Sequence, residues 1–98
     1  MTAGEQAKVY AKALEDAKAQ DVKVYDVRGV SGFTDYFVVA TGAAAPHLKA
    51  LVKALPKAYR VSGDPESGWI VSDYIDVVVH VFSAEARAYY ALEKLWVK

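Results

Sequence analysis

Apolar residues recur at three- and four-residue steps along the first twenty positions. Ala7, Tyr10, Ala11, Leu14 and Ala17 form one stripe, and Glu5, Lys8, Lys12, Glu15 and Asp16 cover most of the remaining surface. That period predicts an amphipathic helix over about Thr2 to Gln20, with Asp21 at its exit. The pattern then changes to alternation. Val22–Val27 (VKVYDV) predicts a half-buried strand, and the glycines at 29 and 32 mark a turn-rich connection. Tyr36–Gly42 (YFVVATG) is more continuously apolar and predicts a more central strand.

The second half repeats this logic. Ala43–Leu55 predicts a helix, with Pro46 in its first turn and His47, Leu48, Leu51, Val52 and Leu55 on its face. A short strand over Lys57–Gly63 and a DPESG turn follow. WIVSD (69–73) and DVVVHVF (76–82) predict two strands separated by only Tyr74 and Ile75, hence a hairpin. Ser83 suits an N-cap for a last helix, AEARAYYALEKLWVK, with Ala86, Tyr89, Leu92, Leu95 and Trp96 on one side. The order α-β-β-α-β-β-β-α predicts an α/β (α+β) domain, a mixed five-stranded sheet flanked by helices. The second helix forms a crossover and favours a parallel strand pair there.

Ninety-eight residues, 54% hydrophobic and 24% charged, suit a single globular domain spanning residues 1–98. Twelve basic and twelve acidic residues balance, which argues against nucleic acid as the primary partner while leaving room for a small basic patch. The absence of cysteine excludes disulfides and thiolate metal sites. No apolar run approaches membrane-span length, and the N-terminal residues lack a signal-peptide core; both lead to the expectation of a cytoplasmic protein.

The stretch GWIVSDYIDVVVHVF (68–82) holds the candidate chemistry: Trp69, Asp73, Tyr74, Asp76 and His80. Carboxylates that share a metal on one strand stand two apart, whereas Asp73 and Asp76 stand three apart, a turn spacing before a metal spacing. His80 shares a strand face with Val78 and Phe82. It reads as a hydrogen-bonded structural residue, and with His47 it gives no zinc spacing. No nucleophile elbow and no phosphate-binding loop are present. No cofactor or metal is expected, and the chain does not read as an enzyme; the alternative of a metal-dependent nucleotidyltransferase using Asp73, Asp76 and Asp35 has the Asp spacing and the missing glycine-lysine loop against it. Seven tyrosines and two tryptophans cannot all be buried in so small a core. As a set they favour an interaction protein, because such residues dominate interface energetics.

Three blocks, DVRGVSGFTDYFVVATG, GWIVSDYIDVVVHVF and EARAYYALEKLW, together resemble the ribosomal silencing factor (RsfS, or Iojap) family over about Val9 to Trp96. The resemblance implies a nucleotidyltransferase-like fold without that activity. It further implies binding to the fourteenth protein of the large ribosomal subunit, on the face that meets the small subunit. The expected result is a block of subunit joining and lowered translation when nutrients are short. Homodimers are also expected, and organelle relatives assist large-subunit biogenesis. The family's motif falls on Asp26, Gly29, Thr34, Asp35, Thr41 and Gly42; on Trp69, Asp73, Tyr74, Asp76, Val77 and His80; and on Arg87, Tyr90, Leu92, Glu93, Leu95 and Trp96. Trp69, Asp73 and Tyr74 are expected at or near the ribosomal contact. Asp76 and His80 are expected to orient that surface or to bond within the sheet, and Leu92 and Leu95 to lie in the core. The chain departs from the family at Pro46, where Arg is usual, and at Ile75, where Gly is usual. A β-branched residue pays heavily at positive φ, so Ile75 is expected to keep φ negative in a turn that is not type I′.

Overall fold

A computed structural model describes residues 1–32 and 34–95. Helix α1 spans Ala3–Asp16. A reciprocal cap starts it: the Thr2 hydroxyl accepts from the Glu5 N–H at 3.1 Å, and the Thr2 N–H donates to the Glu5 carboxylate at 3.0 Å. It ends before Gln20, earlier than its periodicity predicts. Lys18 takes φ 72, and the Ala19 N–H reaches back to the Leu14 carbonyl, closing a Schellman motif around a non-glycine residue.

Strands β1 (Gln20–Asp26), β2 (Tyr36–Gly42), β3 (Arg60–Asp64), β4 (Trp69–Asp73) and β5 (Val77–Ser83) form one sheet in the order β1-β2-β5-β4-β3. Only the β2–β5 pair is parallel. Helix α2 (Ala45–Lys53) follows β2 and carries the chain across to the far edge, where β3 lies. The crossover prediction therefore holds for direction and fails for adjacency. β3 runs parallel to β2, yet β5 and β4 lie between them, because the β4–β5 hairpin folds back and puts its more apolar strand in the centre.

Alternation along the strands divides the core. Val38, Ala40, Ile70, Val77, Val79 and Val81 meet Ala7, Tyr10 and Leu14 of α1 and Leu48 and Leu51 of α2 on one face. The other face carries Phe37, Val39, Val78, His80 and Phe82, packed against Val27, Ala86 and Leu92. Helix α3 (Ala84–Tyr90) lies there, capped by the Ser83 hydroxyl accepting from the Ala86 N–H at 3.1 Å. It stops sooner than the sequence pattern predicts. Ala91 turns left-handed (φ 48) and a 3-10 turn follows over Leu92–Leu95. The break exposes Tyr89 and Leu95, so neither is the core residue the uninterrupted helix required, whereas Leu92 does pack inward. Trp96 lies outside the described residues. Among the described residues, no helix is long and apolar enough to cross a membrane.

Candidate interaction surface

The β4–β5 register sets Trp69 opposite Phe82 and Val71 opposite His80. Trp69 and His80 therefore share the α3 face of the sheet. The Trp69 indole N–H donates to His80 Nδ1 at 3.2 Å. Its ring stacks on Phe82 at 5.2 Å between centroids and meets Tyr90 of α3 at 4.8 Å. His80 is itself held between Phe37 (5.0 Å) and Phe82 (6.0 Å). Because Nδ1 accepts, a neutral ring carries its proton on Nε2. Burial among these rings disfavours the imidazolium and lowers the His80 pKa to about 4. The histidine is thus a neutral acceptor that fixes the edge of a partly buried tryptophan.

Tyr74 belongs to the opposite face. Its ring packs against Tyr10 of α1 at 4.5 Å, and its hydroxyl donates to the Pro56 carbonyl at 2.5 Å. Burial and the neighbouring Tyr10 push its pKa up to about 12, so it stays a donor at neutral pH. Asp73 holds the hairpin: one carboxylate oxygen accepts from the Ile75 N–H at 2.7 Å. Asp76 works through its backbone. Its N–H donates to the Tyr74 carbonyl at 2.9 Å, and its own carbonyl accepts from the N–H groups of Asp35 and Tyr36.

These bonds overturn one expectation. Ile75 has φ 73. The bond from Asp76 N–H to Tyr74 carbonyl closes a three-residue γ-turn around it, and the Asp73 carboxylate fixes the N–H of Ile75 itself. The positive-φ γ-turn is rare and strained, and it is kept only where its surroundings over-determine it. Two side-chain and backbone bonds on a three-residue loop do that here. Ile75 is the sole positive-φ residue of the loop, so the turn is not type I′, as expected.

The five residues picked from sequence therefore form no single cluster. Trp69 and His80 make one unit, Tyr74 anchors the hairpin to the helices behind the sheet, and Asp73 and Asp76 shape the turn between them. Among the described residues, no group of three His, Asp or Glu side chains could hold a metal ion. Sequence reasoning missed the clamp at the other end of the same sheet face. Arg87 of α3 pairs with the Glu93 carboxylate at 2.6 and 2.9 Å, and also reaches the Thr41 hydroxyl (2.8 Å) and the Asp21 carbonyl (2.7 Å). The Tyr25 hydroxyl donates to the same carboxylate. Thr41, Arg87 and Glu93 were visible as motif residues, but Tyr25 and Asp21 were not, and bringing Glu93 to Arg87 depends on the break at Ala91, which no glycine or proline announces.

Comparison with known proteins gives a consistent picture. A family profile described as "Ribosomal silencing factor during starvation" matches residues 1–98. A ribosomal silencing factor from Bacillus subtilis is 34% identical, with the match covering 91% of this chain and 82% of that protein. A mouse protein named for mitochondrial assembly of the ribosomal large subunit is 33% identical over 85% of this chain and 41% of its own length. A crystal structure of a Chromobacterium violaceum protein superposes with a TM-score of 0.87 at 33% identity, covering 98% of this chain and 87% of that one. The chain belongs to the ribosomal silencing factor family.

Proposed function

We propose that this chain binds the large ribosomal subunit, at its fourteenth protein, and represses translation by occupying the face that the small subunit must meet. The reading is non-enzymatic: the bound protein acts by its bulk. The observation that carries it is Trp69, only partly buried yet already fixed by Phe82, Tyr90 and His80. A tryptophan held in place before binding loses little side-chain entropy on docking, which suits an interface anchor. The exposed Ile75 at the hairpin tip adds a second apolar contact on the same strand pair. A homodimer built on this surface would compete with the ribosome, so silencing would depend on protein concentration.

Co-sedimentation with purified large subunits tests the proposal. Wild-type protein is expected to pellet with the subunits at micromolar concentration. Trp69→Ala should weaken binding by about 2 kcal/mol or more, roughly thirtyfold. Wild-type protein left in the supernatant would sink the proposal. A second reading, an assembly factor for the large subunit, is favoured by the name of the mouse relative. Depletion separates the two: immature large-subunit particles support assembly, and raised translation in starved cells with normal particles supports silencing.

A further inference from the structure

The chain is neutral overall, but its charge is unevenly placed. Between Tyr36 and Gly63 stand Lys49, Lys53, Lys57 and Arg60 and no acidic residue. Removing those four from twelve basic and twelve acidic residues leaves eight against twelve elsewhere. All four are exposed. Lys12, Lys23, Arg28 and Arg87 each meet a carboxylate. Lys49, Lys53 and Lys57 have no ion-pair or hydrogen-bond partner among the described residues, and Arg60 lies only over the Tyr59 ring, at 6.0 Å.

Helix α2 buries Leu48 and Leu51 against the sheet and sends Lys49 and Lys53 to solvent, one turn or roughly 6 Å apart along the axis. Like charges at this spacing disfavour a helix, while Lys53, in the last turn, suits its negative end. Lys57 continues the row beyond the helix. It follows Pro56, whose carbonyl holds Tyr74, and precedes Tyr59, whose N–H donates to the Asp73 carbonyl. The row thus runs off α2 toward the tip of the β4–β5 hairpin. The acidic groups at that tip are Asp73, its carboxylate turned onto the Ile75 N–H, and Asp76.

We propose that Lys49, Lys53 and Lys57, extended by Arg60, form a second contact surface that grips the phosphate backbone of RNA beside the protein partner. Lysine is a point-charge phosphate donor. Beside the α2 lysines Ala50 and Ala54 are exposed and let a backbone approach closely, and the large exposed side chain within the row is Tyr59. The inference rests on the large-subunit reading above and adds RNA to the surface engaged there.

The test measures affinity for purified large subunits across a potassium chloride series. The triple variant Lys49→Gln/Lys53→Gln/Lys57→Gln should flatten the slope of log affinity against log salt by about 2 to 3, close to one per lysine. Binding at low salt should weaken about tenfold or more. Lys8→Gln/Lys12→Gln on α1 should leave the slope unchanged, and all the substitutions are at exposed positions. A triple variant with the wild-type slope overturns the inference. A changed slope with no RNA protection that the variant loses, by hydroxyl-radical footprinting, assigns the row to an acidic protein and also overturns it. Should wild-type protein fail to bind subunits, the docking reading falls; the same slope comparison on free ribosomal RNA then decides the RNA contact alone.

Discussion

Acid should destabilise this fold through one histidine. His80 is 7% exposed and packed among Phe37, Phe82 and Trp69. Its pKa falls from an ordinary 6.5 to about 4. In the unfolded chain the ring takes a proton as pH drops through 6.5; in the folded chain it resists until about pH 4. Between those values the unfolded state binds more protons, so stability falls with pH at up to about 1.4 kcal/mol per unit. The full loss is roughly 3 kcal/mol, a large share of the roughly 5–15 kcal/mol that holds a domain of this size. Above pH 6.5 the histidine contributes no pH dependence. Glu5 and Glu93, whose carboxyls are held below the usual range, lose their contributions only at lower pH. The assay is urea unfolding at pH 7.5, 6.0 and 5.0, comparing wild type with His80→Gln, whose amide oxygen can still accept from Trp69. Wild type should lose about 2 kcal/mol over that range, and the variant much less. Equal losses in the two proteins would refute the assignment of a buried, neutral imidazole.

Two further substitutions probe the hairpin and the core. Ile75→Gly removes a β-branched residue from the left-handed region, worth about 1–2 kcal/mol, against about 0.5–1 kcal/mol of added chain entropy. The melting temperature should rise by a few degrees, while binding to large subunits weakens if Ile75 touches the partner; a lower melting temperature would contradict the strained γ-turn. Ser72 is 1% exposed, and its hydroxyl has no hydrogen-bond partner among the described residues. Ser72→Ala should therefore stabilise the protein by about 1 kcal/mol in denaturant titration, and a comparable loss would reveal a partner for that hydroxyl.

Element type and order were legible because periodicity reports burial directly. The alternating valines of β5 sort to opposite faces as their spacing requires. Less legible were features fixed by single residues in left-handed conformations without glycine: Lys18, Asp21, Ile75 and Ala91. Each changes direction where local propensity gives no signal; short-range bonds hold Lys18, Ile75 and Ala91, and Arg87 of α3 holds the Asp21 carbonyl. At Asp21 the register shifts, so Val24 faces solvent and Tyr25 reaches Glu93 instead. The candidate residues were readable as a set but not as an arrangement. Strand parity places His80, but only the hairpin register pairs it with Trp69. Nothing before the chain reversal tells that Tyr74 crosses to the helices behind the sheet.

The strand order also governs how the protein is made. The central parallel pair joins Tyr36 to Val77 at one end and Gly42 to Ser83 at the other. During synthesis, β2 therefore waits with one edge unpaired until Val77–Ser83 has followed it out of the ribosome. The β4–β5 hairpin is local and is expected to pair early, whereas its docking onto β2 must close a long loop. A chain truncated before β5 would keep its N-terminal helix and both early strands but expose the apolar edge of β2, an invitation to intermolecular pairing. Completion of this small domain is thus deferred almost to its last element, and its soluble yield should depend on how fast that element follows.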